Sequence, residues 1–509
     1  MAEPEGGQGA CSPEQGGQDT RPPETTLRQD LRLLMILAAP NVATMMAESM
    51  LNLVDFWIAS KLGPAAQAAI LSAILVYMSI LGLLMGTMAC VSTLVSQSFG
   101  ARRPRDCSAY AWQGVWLSLM FGVGCLALWP VLPGLYRAIG HAPEVQAMEV
   151  EYTRIRMLVL GVAGACMALA EYFNGIQRPR VNTVSVIAAN VVNALLAYGL
   201  AFGLWGLPKL GFAGIAVGTL IATLVRFGWL LGAFCTGQSQ RRFHARYTWG
   251  PSLVKMGRLI KVGWPAGVQF TLDIGAWTVF LTWIIGKFGT IHLAASNTVA
   301  RLTELSFMPA LGIGFSVLAM VGQSVGEGRP AIARRRARMG VLVNVGYMGA
   351  MAVVFIVFRR SLMDFFSDEE PVIALGAGVL VVAALYQMFD AVAITYSLAL
   401  RGAGDTLFPA VACATLSWGI LVGGGQMMVT WYPHLGLKGP WAFAAVYVMV
   451  IGVVLWARWW MGRWERLDVI GRTRGQAEEQ SRTMDPLVGR EAIAAAGEVV
   501  SERVGKVGR

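Results

Sequence analysis

The sequence predicts an all-α integral membrane protein with twelve transmembrane helices in two pseudo-symmetric six-helix bundles. Hydrophobic residues make up 55% of its 509 residues and charged residues only 14%, whereas soluble domains carry about 25% charged residues. The second observation is a repeat: segment 97–104 (QSFGARRP) returns 226 residues later as segment 323–330 (QSVGEGRP). A repeat that keeps its register over this length indicates two structurally equivalent halves.

Apolar runs long enough to cross a bilayer as helices, which takes about 20 residues, occur throughout the chain. Their interiors lack the alternation of a membrane β-barrel, so helices are the spanning elements that remain. Six runs in each half make the halves parallel repeats about an axis along the membrane normal. The twelve runs cover residues 33–60, 66–95, 112–133, 153–172, 181–205, 211–235, 258–286, 292–322, 339–358, 372–399, 408–431 and 440–461.

The longest polar interruption divides the chain into two domains. We predict six-helix bundles over residues 31–235 and 258–463, joined by a cytoplasmic linker over residues 236–257. Residues 1–30 are rich in Gly, Glu, Gln and Pro and predict a disordered cytoplasmic tail without a cleavable signal peptide. Residues 464–509 are charged and predict a second cytoplasmic tail.

The basic residues predict the orientation of the chain. Five alternate loops carry 17 Lys and Arg residues, whereas the six interleaved loops carry 7. The positive-inside rule therefore places the first set of loops and both termini in the cytoplasm. The net charge of +11 reflects this topology rather than a nucleic-acid partner, and we predict a multi-pass protein of the cytoplasmic (inner) membrane.

Cysteine and histidine show no pattern of a metal site. The seven Cys are scattered without a CxxC or Cys/His cluster, so neither a zinc site nor a disulfide framework is predicted. No nucleophile motif or phosphate-binding loop is present either. We therefore predict a protein that is not an enzyme and has no cofactor.

Two acidic residues in the second half are the strongest candidate coupling residues, because a charge at mid-bilayer costs about 2.5–3.5 kcal/mol. Asp273 follows Gln269 by one helical turn, and Asp390 follows Tyr386 by one turn and stands beside Gln387. Tyr386 is predicted to assist cation coupling, and Gln269 and Gln387 are candidates for the substrate cavity. Burial disfavours the charged form of a carboxyl, which suits proton exchange. The oxygens of Asp273 and Asp390 are equally able to bind Na⁺, the one metal ion considered.

The first half has its own polar residues in the first run. Glu48, Asn52 and Asp55 are spaced i, i+4, i+7, which predicts one helical face. We predict that Asp55 forms a first-half polar site with Asn52 and takes part in cation coupling, that Asn52 lines the cavity, and that Glu48 either lines the cavity or is paired structurally. Pro40 removes a backbone hydrogen bond in this helix, and Pro265 holds the matching place in the second half. Both prolines are predicted hinges.

Other polar residues of the spans have weaker assignments. Asn190 and Asn193 line the cavity or are satisfied by neighbouring helices. Glu304 is a further candidate for the substrate cavity. It follows Arg301 by three residues, and the two alternatively predict an internal ion pair. The repeated Gln-Ser-x-Gly segment predicts a turn at the end of a helix.

Taken together, these residues resemble the multidrug and toxic compound extrusion (MATE) family, NorM-like branch, over residues 31–461. The resemblance rests on Pro40 with Asp55 in the first run and on segments 97–101, 386–390 and 400–406. It implies two bundles in a V shape and multidrug efflux of organic cations or amphipathic compounds. Asp273 departs from the Glu that this branch usually has there.

The predicted function is secondary active antiport of organic cations or amphipathic drugs and toxic compounds against H⁺ or Na⁺ by alternating access. A monomer in the lipid bilayer is predicted. One alternative is a lipid-linked saccharide flippase of the same superfamily, disfavoured because ionisable groups within the spans are mainly acidic. A non-transporting membrane receptor or scaffold is the alternative from another class, and it has no need for paired membrane carboxylates.

Overall fold

A computed structural model describes residues 26–471 of the chain. Eleven of its helices are long and apolar enough to cross a membrane, and a pair bent by 50° forms a twelfth span. The spans are α1 Leu27–Leu62, α2 Pro64–Gly100, α3 Pro104–Leu128, α4 Pro143–Leu158 with Leu160–Gly175, α5 Pro179–Phe202, α6 Phe212–Cys235, α7 Leu253–Phe288, α8 Thr290–Gly326, α9 Pro330–Val357, α10 Glu370–Ala403, α11 Leu407–Trp431 and α12 Lys438–Trp460. The predicted all-α membrane fold is confirmed.

Several helices begin earlier than the apolar runs. Helix α1 starts at Leu27, inside the predicted tail 1–30, because Thr26 and Gln29 form a capping box there. Helices α4 and α9 start at Pro143 and Pro330, about ten residues before the predicted runs. The apolar run stops at the first polar turn of each helix. The helix itself begins earlier, at a capping residue or at a proline in the first helical position. Residues 1–25 and 472–509 of the predicted tails lie outside the described residues.

Matching backbone angles mark the repeat in the structure. Arg102 and Gly328, which are 226 residues apart, both have left-handed φ angles, of 56° and 73°. Each follows a helix that ends at the repeated glycine, Gly100 in α2 and Gly326 in α8. The next helix begins with proline in both cases. The two halves therefore share a backbone plan as well as a sequence motif.

Each half has a large apolar core of its own. One core consists mainly of first-half residues of α2, α3, α4 and α6, and the other mainly of residues of α7 to α12. Helix α7 nevertheless packs closely on α2: a Cβ on Gly86 would lie 2.3 Å from the Ala266 carbonyl oxygen. Such small residues let helix backbones approach within a membrane, where dispersion contacts drive packing.

Both ends of the described chain contact the first turns of α9. The Asp30 carboxylate, 1% exposed, accepts hydrogen bonds from Arg335 (2.5 Å) and Arg336 (3.1 Å). The Glu465 carboxylate forms an ion pair of 2.6 Å with the adjacent Arg334. These contacts define what we call the terminal face, the side of the helices on which residues 26 and 471 lie.

The last described residues cross from the second half to the first. Ile470 is 4% exposed and belongs to the first-half core, while its carbonyl accepts a hydrogen bond of 3.3 Å from Arg103. Residues 464–471 of the predicted tail therefore pack against the helices. Hydropathy did not reveal this short segment because its burial depends on the other half.

The linker of residues 236–257 is ordered against α3. It contains the short helix Gly237–Phe243, after which the Ala245 carbonyl accepts a 2.7 Å hydrogen bond from the Trp112 indole. Gln113 accepts a further bond of 2.8 Å from the Ser252 amide. The chain therefore enters the second half held against the first.

The two halves are hydrogen-bonded to each other near the terminal face. The Thr93 hydroxyl donates to the Arg401 carbonyl and the Gln97 amide to the Gly402 carbonyl, each at 2.9 Å. Deeper in, Asn41 donates to Ser316 at 2.9 Å. Among residues 26–471, every hydrogen bond between the halves lies between the terminal face and the middle of the spans. The structure is therefore closed at the terminal face.

Substitution of Asp30 by Asn is expected to destabilise the folded protein. It leaves the buried Arg336 without its carboxylate, and breaking a buried ion pair costs about 3–5 kcal/mol. The measurement is thermal unfolding of the purified protein. Glu370→Gln is the control, because the Arg360–Glu370 pair is exposed and loosely spaced at 3.6 Å, and such pairs contribute about 0–1 kcal/mol. Equal melting temperatures for the two variants would contradict the structural role of Asp30.

Candidate functional site

The first candidate site surrounds Asp55 on α1. Its carboxylate is 2% exposed and accepts a hydrogen bond of 3.2 Å from the Thr219 hydroxyl on α6. Asn193 on α5 donates to the same hydroxyl at 2.9 Å. The other carboxylate oxygen, Oδ1, is buried without a hydrogen-bond partner among the described residues. Three helices thus place one carboxylate among polar groups that only partly satisfy it.

A basic residue that the sequence reading did not single out stands close to this site. Arg156 on α4 has its guanidinium carbon 4.4 Å from the centre of the Tyr77 ring. Its Nε and Nη1 atoms are buried without hydrogen-bond partners among the described residues. The first half therefore holds a buried positive charge as well as its buried carboxylate.

Glu48 has an arginine partner as well. Arg226 on α6 donates from Nη2 to Glu48 at 3.2 Å and to Asn182 at 3.1 Å. The structurally paired alternative for Glu48 therefore describes its environment. Asn52, by contrast, is exposed, so the predicted polar site of Asp55 with Asn52 stays a prediction. Spacing placed them on one face, but α1 turns Asp55 toward α6 while Asn52 has no described partner.

The second candidate site lies between α7, α10 and α12. Asp273 accepts a hydrogen bond of 2.9 Å from the Tyr447 hydroxyl, and it repels Asp390 electrostatically. Asp390 accepts no hydrogen bond from the described residues. The two acidic residues predicted to act together are therefore neighbours, with a phenol bonded to one of them.

The polar residues predicted beside these carboxylates have other partners. Gln269 donates to the Cys413 thiol at 3.0 Å and accepts from Arg401 at 2.9 Å, so it does not bind Asp273. Gln387 accepts a 3.2 Å hydrogen bond from Ser306. Tyr386 is buried. It is within electrostatic range of Asp390 but forms no hydrogen bond with it.

The remaining predicted residues lie outside the two carboxylate sites, except Asn193. Asn190 donates to the Ala47 carbonyl at 2.5 Å and so joins α5 to α1. Arg301 and Glu304 form an ion pair of 2.9 Å, but their side chains are 64% and 42% exposed. The predicted pair thus exists but is not internal, because this face of α8 is not covered by another helix.

The two predicted hinges differ in their surroundings. The carbonyl of Pro40 accepts hydrogen bonds from Thr44 (3.0 Å) and from Thr183 of α5 (2.8 Å). Pro265 is buried within α7. Proline has no amide hydrogen and so interrupts the hydrogen bonds of α1. Near this interruption, α5 supplies an additional hydrogen bond to the backbone of α1.

Residues missed by the sequence analysis are Arg156, Arg226 and Tyr447. A signal for the arginines was present, since both lie in predicted apolar runs and a membrane charge of either sign marks a candidate. Tyr447 gave no local signal, because its contact with Asp273 depends on how α12 packs on α7. The π-helical segments 279–284 and 417–424 were also missed, and such segments are frequent at functional sites.

Two carboxylates are too few for a dedicated metal centre. No group of three or more His, Cys, Asp or Glu side chains that could hold a metal ion occurs among residues 26–471. What the pair of Asp273 and Asp390 offers is a half-buried, negatively charged place. A monovalent cation would relieve the mutual repulsion of the pair.

Replacement of Thr219 by Val is expected to destabilise the protein by about 1–3 kcal/mol, because it leaves polar groups of Asp55 and Asn193 buried without their partner. Thr223→Val is the control, since that hydroxyl donates to the Thr219 carbonyl of its own helix. Thermal unfolding of both variants measures the difference. A Thr219→Val protein as stable as the control would show that this contact contributes nothing.

Among residues 26–471, eleven apolar helices and one bent pair form two similar halves with carboxylates among the helices of each half. This arrangement defines the class of alternating-access membrane transporters. The chain belongs to the MatE family, whose model matches residues 40–199 and 272–422. The resemblance stated from the sequence is thereby confirmed. A member of this transporter family is not an enzyme.

Several relatives and solved structures are similar to the chain. The probable multidrug resistance protein NorM of Aromatoleum aromaticum is 29% identical over 389 residues, covering 76% of this chain and 83% of the relative. The multidrug resistance protein PmpM of Pseudomonas aeruginosa is 26% identical over 442 residues, covering 85% and 91%. A structure described as the outward-facing conformation of a multidrug resistance MATE family transporter matches with a TM-score of 0.78 at 20% identity, covering 87% of this chain and 100% of that chain. The structural likeness shows the shared fold.

Proposed function

We propose that the protein is a secondary active antiporter that exports organic cations or amphipathic drugs in exchange for H⁺ or Na⁺. The observation that carries the proposal is the pair of Asp273 and Asp390, two interacting carboxylates in the middle of the second half. A single negative charge in a membrane interior already demands a partner. Two neighbouring ones create a strong preference for a bound proton or cation.

Binding of the coupling ion would change the stability of one arrangement of the halves. With Asp273 and Asp390 neutralised, the repulsion between α7 and α10 disappears, and a different packing of the second half becomes favourable. A ligand shifts such an equilibrium only through its different affinity for the two states. In this proposal the ion and the substrate bind alternately, so that the entry of one drives the exit of the other.

The closed terminal face represents one state of the cycle. We propose that the bundles of residues 31–235 and 258–463 move against each other, with bending at Pro40 and Pro265. The positive-inside bias makes the terminal face cytoplasmic and the inner membrane the location. The site would then open toward the outside, where the coupling ion enters and the substrate leaves. A monomer is sufficient for this cycle.

The substrate class follows from the charge of the site and from the relatives. Anionic groups inside the spans favour cationic or amphipathic molecules over anions. The relatives named NorM and PmpM are described as multidrug resistance proteins. We extend that activity to this chain as part of the proposal.

The proposal is tested by transport in vesicles that contain the purified full-length protein. Ethidium is loaded on one side, and a pH gradient and a sodium gradient are imposed in separate experiments. We expect ethidium to move against its own gradient in response to one or both. Absence of movement with either gradient would refute antiport, and the responding gradient identifies the coupling ion.

The flippase alternative can be judged again with the structure. The spans contain Arg156 and Arg226 as well as acidic residues, and arginine is a residue that binds pyrophosphate. Arg226 is paired with Glu48 at 3.2 Å, however, and the first-half spans also contain Asp55 and Glu171, so the first half offers no excess positive charge to an anionic lipid. A lipid-linked saccharide added to the same vesicles separates the functions: scrambling without ethidium transport indicates the flippase. A scaffold would give neither activity.

A further inference from the structure

A groove lies between the α3–α4 connection and the first part of α4. Helix α3 begins at Pro104, next to the terminal-face contact of Arg103, and ends at Leu128, so the groove is on the side opposite the terminal face. Its volume of about 610 Å³ is within the range of small-molecule pockets. The lining includes one aromatic and four polar side chains: Trp129, Arg137, Gln146, Glu151 and Arg154. This lining is separate from both carboxylate sites.

The two arginines of the groove lack an acidic partner. Among residues 26–471, no ion pair involves Arg137 or Arg154. The Nε atom of Arg154 is buried without a hydrogen-bond partner in that range, and its guanidinium lies over the Trp129 ring at 5.7 Å. Arg137 donates only from Nε, to the Pro133 carbonyl at 3.2 Å. Both guanidinium groups therefore keep donors for an anion, and phosphate matches their geometry.

The repeat shows that the fold does not require these arginines. An offset of 227 residues relates fully buried residues of the two halves: Tyr136 to Met363 and Thr153 to Leu380. The same offset relates Arg137 to an acidic residue, Asp364, and Arg154 to the apolar Val381. The second half follows the same backbone plan without an arginine at either place. The pair of arginines is therefore a feature of the first half alone.

A short helix, Leu132–Ile139, places the groove at the surface of the bilayer. The Tyr136 hydroxyl shares a hydrogen bond of 2.7 Å with the Thr153 hydroxyl of α4, so one face of the short helix is held against the protein. The other face of this segment exposes three apolar side chains at a spacing of four residues: Val131, Leu135 and Ile139. Such a stripe is stable at the boundary of headgroups and acyl chains, where Trp is also enriched. The groove therefore opens at the depth of lipid headgroups.

We propose that the groove binds the headgroup of an anionic phospholipid in the leaflet opposite the terminal face, with the phosphate between Arg137 and Arg154. A phospholipid fits the surroundings, because its acyl chains meet the apolar stripe while its phosphate meets the arginines. The two arginines and the single carboxylate of Glu151 leave the lining with an excess positive charge. A headgroup with one negative charge neutralises that excess. The site is independent of the proposed antiport and adds a lipid ligand to the protein.

The test titrates phosphatidylglycerol into the purified full-length protein and measures the bound lipid by native mass spectrometry. We expect Arg137→Gln/Arg154→Gln to bind at least about tenfold more weakly, because hydrogen bonds to a charged group are lost. The matched control is Arg359→Gln/Arg360→Gln, which removes two exposed arginines from the corresponding connection of the second half. This control should bind like the wild type. Equal affinities of the two double variants would overturn the proposal.

A second variant tests the site through a gain of affinity. Glu151 is exposed, so Glu151→Gln should fold like the wild type, and it removes the one negative charge of the lining. We expect this variant to bind phosphatidylglycerol more tightly, because repulsion of the phosphate is lost. Unchanged or weaker binding would contradict the proposal, including the case in which the arginine variant does not fold.

Two other probes identify the ligand class. Phosphatidylethanolamine with the same acyl chains should bind more weakly than phosphatidylglycerol, and inorganic phosphate should not displace the lipid. Equal binding of the two lipids would overturn the choice of an anionic headgroup, whereas displacement by inorganic phosphate would indicate a site for a free anion. None of these measurements involves transport, so their outcome is separate from that of the antiport experiment.

Discussion

Replacement of Asp390 by Asn is expected to abolish ethidium transport driven by an ion gradient while leaving the protein folded. The amide has nearly the same size but can neither take up a proton nor attract a cation, so binding of the coupling ion is lost. A gradient equivalent to 100 mV supplies about 2.3 kcal/mol per unit charge. That energy holds a substrate ratio of about fifty-fold, which should fall to the passive ratio in the variant.

Two further measurements keep this expectation specific. Asp364→Asn removes an exposed acid of the same half and should transport like the wild type. Ethidium binding to the purified Asp390→Asn protein should persist if the carboxylate serves the coupling ion rather than the substrate. Wild-type, gradient-dependent transport by Asp390→Asn would remove Asp390 from the mechanism.

Replacement of Gly326 by Ala is the second large effect that we expect. A Cβ at this position would lie 2.1 Å from the Gln97 carbonyl oxygen, and one on Gly100 would lie 2.1 Å from the Gln323 carbonyl oxygen. The two repeated motifs therefore cross at their glycines, and α2 and α8 must separate to admit a methyl group. Overpacking of this kind costs about 1–3 kcal/mol, which lowers the population of the closed terminal face about 5- to 150-fold.

Closure can be followed with a thiol at a position between the halves. Ser96 is buried beside Gly322, and a Ser96→Cys protein should react slowly with a maleimide. The added Gly326→Ala substitution should accelerate that reaction and slow ethidium transport. Gly346→Ala is the control, because a Cβ there meets no atom within 4 Å. Equal labelling in the two backgrounds would show that the glycine crossing does not hold the face closed.

The sequence by itself determined the class of the protein and its repeat. Long apolar runs, a low charge content and the 226-residue offset depend on composition and order alone. A membrane interior accepts few structures, because every backbone polar group needs a partner within the protein. The candidate acids Asp273 and Asp390 were found for the same reason, since a charge is costly there whatever its neighbours are.

The tertiary structure decided which of these polar residues meet. Helical spacing grouped Asn52 with Asp55, but the packing of α1 on α6 gave Asp55 the partner Thr219, whose hydroxyl also accepts a hydrogen bond from Asn193. It likewise brought Tyr447 to Asp273 across 174 residues of chain. Periodicity gives the face of a helix without saying which helix that face meets. The partners of each carboxylate depend on which helices pack together, and this is decided only in the folded chain.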